Sequence, residues 1–449
     1  MIPATTWYRK RRRSLWVLSG LIVCVGLLSR CVNGGGEEKT KEEKMREERT
    51  REEGTQGEGA QAVVNAKGAE YAGSEACMRC HASISDSYMH TAHYFSSRPA
   101  GKQWIKGSFL PGKNEFSFND YSPLPADVKV VMEERDSGLY QVAYINGKAR
   151  KAERFGIVIG SGRKAQTYLY WRDHQLLQLP VSYFTATESW ANSPGFPYDQ
   201  VKFNRLIPAH CLECHSTVCT LLPTTATIPG PNPPAFFDKG KMLLGIGCEN
   251  CHGPGAKHVA FQSQHPADKK GMYIVNPARF TRQQSLDACA VCHSGIRDSR
   301  QPAFSFVAGD DLADYFAPGH AADTAHPEVH GNQYGLLAAS KCFLMSKNLT
   351  CVTCHNTHVN ERGNLALFSQ RCMDCHQPSG DHFCTMRPSP GMTLTSNCID
   401  CHMPVQASGL VNLMVPGQSK MTPLLLRSHL IAIYPGQIKK TMDRMRMNK

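Results

Sequence analysis

Cys351-Val352-Thr353-Cys354-His355-Asn356-Thr357-His358 carries two thiols separated by two residues, a histidine directly after the second, and another histidine three residues on. Its first five letters, C-x-x-C-H, occur seven times in the chain. The other copies begin at Cys77, Cys211, Cys248, Cys289, Cys372 and Cys398. With 19 Cys and 19 His among 449 residues, chance supplies about 0.03 matches. C-x-x-C-H is the attachment sequence of c-type haem. Two thiols form thioethers to the two vinyl groups of one porphyrin, and the next residue is placed to ligate its iron. Zinc knuckles need no histidine after each pair, a redox dithiol occurs once rather than seven times, and a disulfide framework needs no histidine at all.

The expectation is therefore seven covalently bound c-type haems. Their thioethers would come from Cys77 and Cys80, Cys211 and Cys214, Cys248 and Cys251, Cys289 and Cys292, Cys351 and Cys354, Cys372 and Cys375, and Cys398 and Cys401. Proximal iron ligands would be His81, His215, His252, His293, His355, His376 and His402.

Hydrophobic residues make up only 41% of the chain, and each porphyrin would substitute for core side chains. The expected fold is thus mainly α and irregular, a multihaem cytochrome c fold organised around stacked haems, with a small antiparallel β-rich insert. The motif spacing leaves a gap between residues 81 and 211. In it, residues 127–132, 140–145 and 155–159 read as strands, Asn146-Gly147 as a hairpin turn, and residues 167–180 as a further hairpin. This divides the chain into a leader at 1–31, a charged linker at 32–70, a first haem-binding segment at 71–102, the β-rich insert at 103–200 and a six-haem domain at 201–449.

Arg9-Lys10-Arg11-Arg12-Arg13 precedes an apolar run at residues 15–28, the pattern of a secretory leader. The run is short for a membrane span. Leu28-Ser29-Arg30-Cys31 resembles a lipoprotein cleavage box, with Cys31 as the lipidated residue, although Arg30 departs from the usual small residue; an uncleaved anchor is the alternative. Either way the protein is expected to be exported to the periplasm or cell surface and tethered to a membrane by lipid or anchor. Residues 34–60 are low in complexity and cannot bury surface.

The net charge of +12 does not point to nucleic acid. Residues 1–30 hold six basic residues and no acids. Without them, about fourteen propionates against about one positive charge per ferric centre bring the loaded protein close to neutral. No basic patch with interleaved aromatics is present.

The sixth position of each iron decides between electron carrier and enzyme. Twelve histidines lie outside the motifs: His90, His93, His174, His210, His258, His265, His320, His326, His330, His358, His382 and His429. His258 and His358 follow closely on motifs, and the turn after each motif would throw them toward a neighbouring haem. His90 and His93 lie one helical turn apart, and one of the two is expected to ligate. His330, His429 and His210 complete the distal candidates. Met403 reads as packing. Of the leftover cysteines, Cys342 and Cys384 are a candidate disulfide, with free buried thiols as the alternative.

Four stretches carry a family resemblance: Tyr71-Ala72-Gly73-Ser74-Glu75-Ala76-Cys77 with Thr91-Ala92-His93, Gly245 to Gly255 around the third motif, Leu349 to His358, and Cys398 to Pro404. At these residues the chain resembles the multihaem cytochromes of the cytochrome c-552/c-554 family, related to hydroxylamine oxidoreductase. The resemblance covers roughly 71–105 and 205–435. It implies His93, His258, His330, His358 and His429 as distal ligands, and haems stacked in parallel and perpendicular pairs. Seven haems rather than four or eight, and the β-rich insert, depart from that pattern.

The function expected on this basis is electron transfer through a chain of covalently bound haems in a respiratory or extracellular pathway. Partners would be quinol-oxidising or terminal reductase complexes and other cytochromes, without nucleic acid. The alternative is a multihaem oxidoreductase with one open iron acting on a small nitrogen or sulfur compound. An electron carrier fits better than a catalytic oxidoreductase.

Overall fold

The structure, a computed structural model, describes residues 62–449 except 121–123, 224–233, 320–321, 326, 382, 387–393, 417, 419 and 448–449. The leader, Cys31 and most of the charged linker fall outside the described residues, as do His320, His326 and His382. Residues from Ala62 onward form one compact unit.

The expectation of a mainly α and irregular fold is overturned: helix and strand each account for about a quarter of the chain. Between residues 97 and 206 two antiparallel sheets face each other. One runs Glu115–Ser117, Val128–Arg135, Gly138–Ile145 and Lys148–Arg154 in order. Asn146 and Gly147, both at positive φ, close its last hairpin, as an Asn-Gly pair does in a type I′ turn. The other sheet has seven strands centred on Ala165–Arg172. Alternating apolar side chains from both sheets meet in a dry core around Phe116, Met132, Tyr168, Leu177 and Trp190. Buried Gln141 stitches the sheets together, donating to the Val181 carbonyl at 2.7 Å and accepting from the Val181 amide at 3.1 Å.

Strands also enter the motif-rich part, which is the second reason the expectation fails. Ser216–Leu221 pairs with Phe237–Leu244 directly after the second motif. Val405–Leu413 pairs with Thr422–Arg427 directly after the seventh. Along Val405–Leu413 buried and exposed positions intermingle, as expected of half-buried sheet, whereas Ser216 to Cys219 are buried throughout.

The motifs themselves ride on minimal helix. The amide of His81 donates to the Cys77 carbonyl at 2.9 Å, and the same i to i−4 bond recurs at His252, His355, His376 and His402. One helical turn suffices to set both thiols and the imidazole around a common axis. The fourth motif closes a longer helix, Arg282–His293, started by a capping box at Thr281 and Gln284, and the sixth begins in the last turn of the helix Leu365–Met373.

Candidate haem-binding cavity

The short motif helices surround a cavity of about 2560 Å³, lined by residues from all seven motifs. Small-molecule clefts usually hold about 300–1,000 Å³, so this space suits several large groups. Its donor set of paired thiols and imidazoles, with mainly apolar walls, fits haem.

Three imidazole pairs face each other across the cavity. His252 and His358 have ring centroids 6.3 Å apart and planes inclined by 26°. His355 and His429 stand 6.3 Å apart at 29°. His93 and His293 stand 6.1 Å apart at 67°. A metal–imidazole bond is about 2.0–2.1 Å long and the ring centre lies about 1.1 Å further on, so two imidazoles on one metal have centres about 6.3 Å apart. Each pair joins a motif histidine to one of the distal candidates. His330 lines the cavity with His215, and its charge acts on His215. His258 lines the cavity with its Nδ1 held by the Met272 carbonyl at 2.8 Å. His90 and His210 do not line it. His90 is exposed, and His210 is turned to the Glu213 carboxylate.

Burial, then neighbouring imidazoles, push His93 down to about 4. Burial and His355 do the same to His429, also to about 4. Both rings are therefore neutral at pH 7, with the lone pair a metal requires. Backbone carbonyls orient two proximal rings through Nδ1: Val275 holds His252 at 3.0 Å and Ala432 holds His402 at 2.9 Å. Such contacts fix the tautomer and aim Nε2.

Motifs adjoin one another: the thiol of Cys77 lies close enough to that of Cys248, Cys214 to Cys292 and Cys289 to Cys351 for each to shift the other's titration. Cys251 lies within electrostatic reach of Cys289, and Cys372 of both Cys354 and Cys398. All seven motifs thus form one connected array. Cys342 and Cys384 are both free thiols, which corrects the expected disulfide: Cys342 sits near Cys354 and Cys372, and Cys384 near Cys398.

A family model described as cytochrome c554 and c-prime matches residues 183–253, a stretch that contains the second and third motifs. The chain is a multihaem c-type cytochrome. This cytochrome is also similar to the C-type polyheme cytochrome OmcC of Geobacter sulfurreducens, at 25% identity over 170 residues. That match covers 32% of this chain, and the chain spans one fifth of the relative's length. A solved undecahaem cytochrome from the S-layer of Carboxydothermus ferrireducens aligns over 74% of this chain and 45% of its own, at 18% identity and a TM-score of 0.33.

The sequence did not flag two groups that shape the cytochrome's cavity. Glu249, inside the third motif and 2% exposed, accepts amide hydrogen bonds from Ala72, Gly73 and Gly255 at 2.7–2.8 Å. Buried Tyr88 donates to the Ile246 carbonyl and meets His358 edge-on at 6.3 Å. A carboxylate between two motif cysteines ordinarily reads as a surface residue, and only the fold brings three amides to it.

Proposed function

We propose that this cytochrome binds seven haems and conducts electrons between exported redox partners. The observation that carries the reading is the three imidazole pairs at 6.1–6.3 Å, the spacing of two axial ligands on one iron. In this reading each of the pairs His93 and His293, His252 and His358, and His355 and His429 would hold one haem iron. His330 would pair with His215, and His258 would hold a further iron. Each haem, when bound, supplies a one-electron centre whose potential follows its axial ligands, burial and hydrogen bonds.

The chain's own contribution is positional. The motif cysteines would hold the porphyrins by thioethers, the imidazoles, two of them carbonyl-anchored, would hold the irons, and cross-motif contacts would keep neighbouring centres close. Closely spaced centres with both axial positions filled favour electron transfer over substrate binding. Export, a lipid tether at Cys31 and docking to other cytochromes or membrane redox complexes complete the proposal. Among the described residues no helix is long and apolar enough to cross a membrane.

The test is the purified holoprotein, examined by mass and by electron paramagnetic resonance. Seven haems with low-spin ferric signals, unchanged by carbon monoxide, are expected. Fewer than seven haems would contradict the count. A high-spin signal with turnover of nitrite, hydroxylamine or tetrathionate would replace the carrier with an oxidoreductase.

A further inference from the structure

The carboxylates that line the cavity are already engaged. Glu249 accepts three backbone amides. Glu361 is paired with Arg371, Glu213 with His210 and the Phe304 amide, and Asp268 with the Lys270 amide. Several lining cations lack a carboxylate partner among the described residues, and three of them, Arg163, Lys164 and Arg362, lie close together.

These cations come from two distant segments. Arg163 and Lys164 lie in the turn between strands Ile157–Ile159 and Ala165–Arg172, which Gly160 and Gly162 shape at φ +99° and +74°. Carbonyls tether the turn: the Arg163 guanidinium reaches the His90 carbonyl at 3.4 Å and Lys164 Nζ reaches that of Leu425 at 3.2 Å. Arg362 follows His355 and His358 in a single loop, and Leu425 lies four residues before His429. The group therefore gathers beside residues that carry two of the imidazole pairs. Desolvation and then mutual repulsion depress it: Lys164 is held below its ordinary value by burial, Arg362 and Arg427, and Arg362 by burial and Arg163. Like charges brought together without a counter-ion are costly, unless an anion belongs among them.

We infer that Arg163, Lys164 and Arg362 form a clamp for haem propionates in the wall that carries His355, His358 and His429. This rests on the reading that haems fill the cavity. A propionate is a carboxylate held at the porphyrin edge away from the thioethers, and a guanidinium fork matches it in bidentate fashion. The clamp keeps that carboxylate ionised. It also raises the reduction potential of the attached centre, because a nearby cation favours the state with one more electron. A free small oxyanion shares the same chemistry and is the competing occupant.

The test uses the full-length holoprotein and its Arg362→Gln variant, compared by mass, electron paramagnetic resonance and potentiometric titration. The variant should keep seven haems and low-spin signals. One or two of its transitions should fall in potential by up to tenfold in the Nernst ratio, about 59 mV for one electron. Arg362→Lys should restore most of the shift, and Arg163→Gln should reproduce it from the opposite segment. Should Arg362→Gln fail to load haem, Arg163→Gln carries the comparison. Potentials unmoved at full haem count would overturn the clamp. Potentials of the unaltered protein that move when nitrite or sulfate is added, but not in Arg362→Gln, would assign the site to a free oxyanion instead. A wild-type count below seven would count against the haem reading and not against the clamp.

Discussion

His252 and His358 stack with their planes inclined by only 26°, whereas His93 crosses His293 at 67°. The angle between two axial imidazoles sets how the iron d-orbitals split. Near-parallel rings give a rhombic low-spin signal, and steeply crossed rings give a more anisotropic one with a larger maximum g-value. The ferric protein should therefore show both classes. His93→Ala should remove one contribution of the anisotropic class, open one iron to carbon monoxide, and leave the rhombic class in place. Loss of a rhombic signal instead would reassign His93 to another iron.

His330 makes a second, independent test of the ligand set. It shares the cavity with His215, whose pKa is held low by burial and by the charges of His293 and His330. His215 also keeps a buried Nδ1 with no protein partner, so its ring has no carbonyl anchor like that of His252. His330→Ala should convert one of seven haems to a high-spin, carbon monoxide-binding form without loss of haem mass. An unchanged spectrum would place the sixth ligand of that iron elsewhere.

Much of this site was legible in the sequence because covalent attachment demands a fixed local pattern. The motif positions follow from counting, and His358 could be named because it lies three residues after His355. His429 and His93 were named on weaker grounds, an apolar segment and a helical spacing, and the fold brings both onto motif histidines. Fold class was misread because C-x-x-C-H specifies one helical turn and nothing about what lies between copies. The Val405–Leu413 and Thr422–Arg427 ribbon alternates only loosely, so its strands left a faint signal. The cations at 163, 164 and 362 left none, since nearly two hundred residues separate segments that only tertiary structure unites.

Glu249 ties the chain before the first motif to the third. Its Oε1 accepts from Ala72 and Gly255, and its Oε2 from Gly73. Glu249→Gln replaces one acceptor with a donor facing a donor, which should cost about 1–3 kcal/mol. Burial holds this carboxyl above its ordinary value, against the pull of the three amides. A raised folded value means its contribution to stability is full below the unfolded value and fades as pH rises through the folded one. Urea midpoints of the unaltered protein should thus gain on those of the variant between pH 7 and pH 5. A constant difference across that range would show that Glu249 keeps the same protonation in both states.

Glu361 and Arg371 show the opposite sign. Arg371 binds both carboxylate oxygens, at 2.5 and 2.7 Å, and also the Cys354 carbonyl at 2.6 Å. The pair locks the end of the fifth motif to the helix Leu365–Met373, which carries Cys372 of the sixth. The hydrogen bonds from Arg371 hold the Glu361 carboxyl below its ordinary value. A lowered folded value means the stabilisation is present above the unfolded value and is lost as pH falls through the folded one. Arg371→Ala removes charged hydrogen bonds that contribute about 1.5–3 kcal/mol and should lower the thermal midpoint at pH 7. Glu361→Gln should lower it less, because Gln still accepts one hydrogen bond, and should flatten the acid limb of the stability curve below about pH 4.5. Equal acid sensitivity in the unaltered protein and Glu361→Gln would remove this pair from the acid response, leaving other carboxylates to account for it.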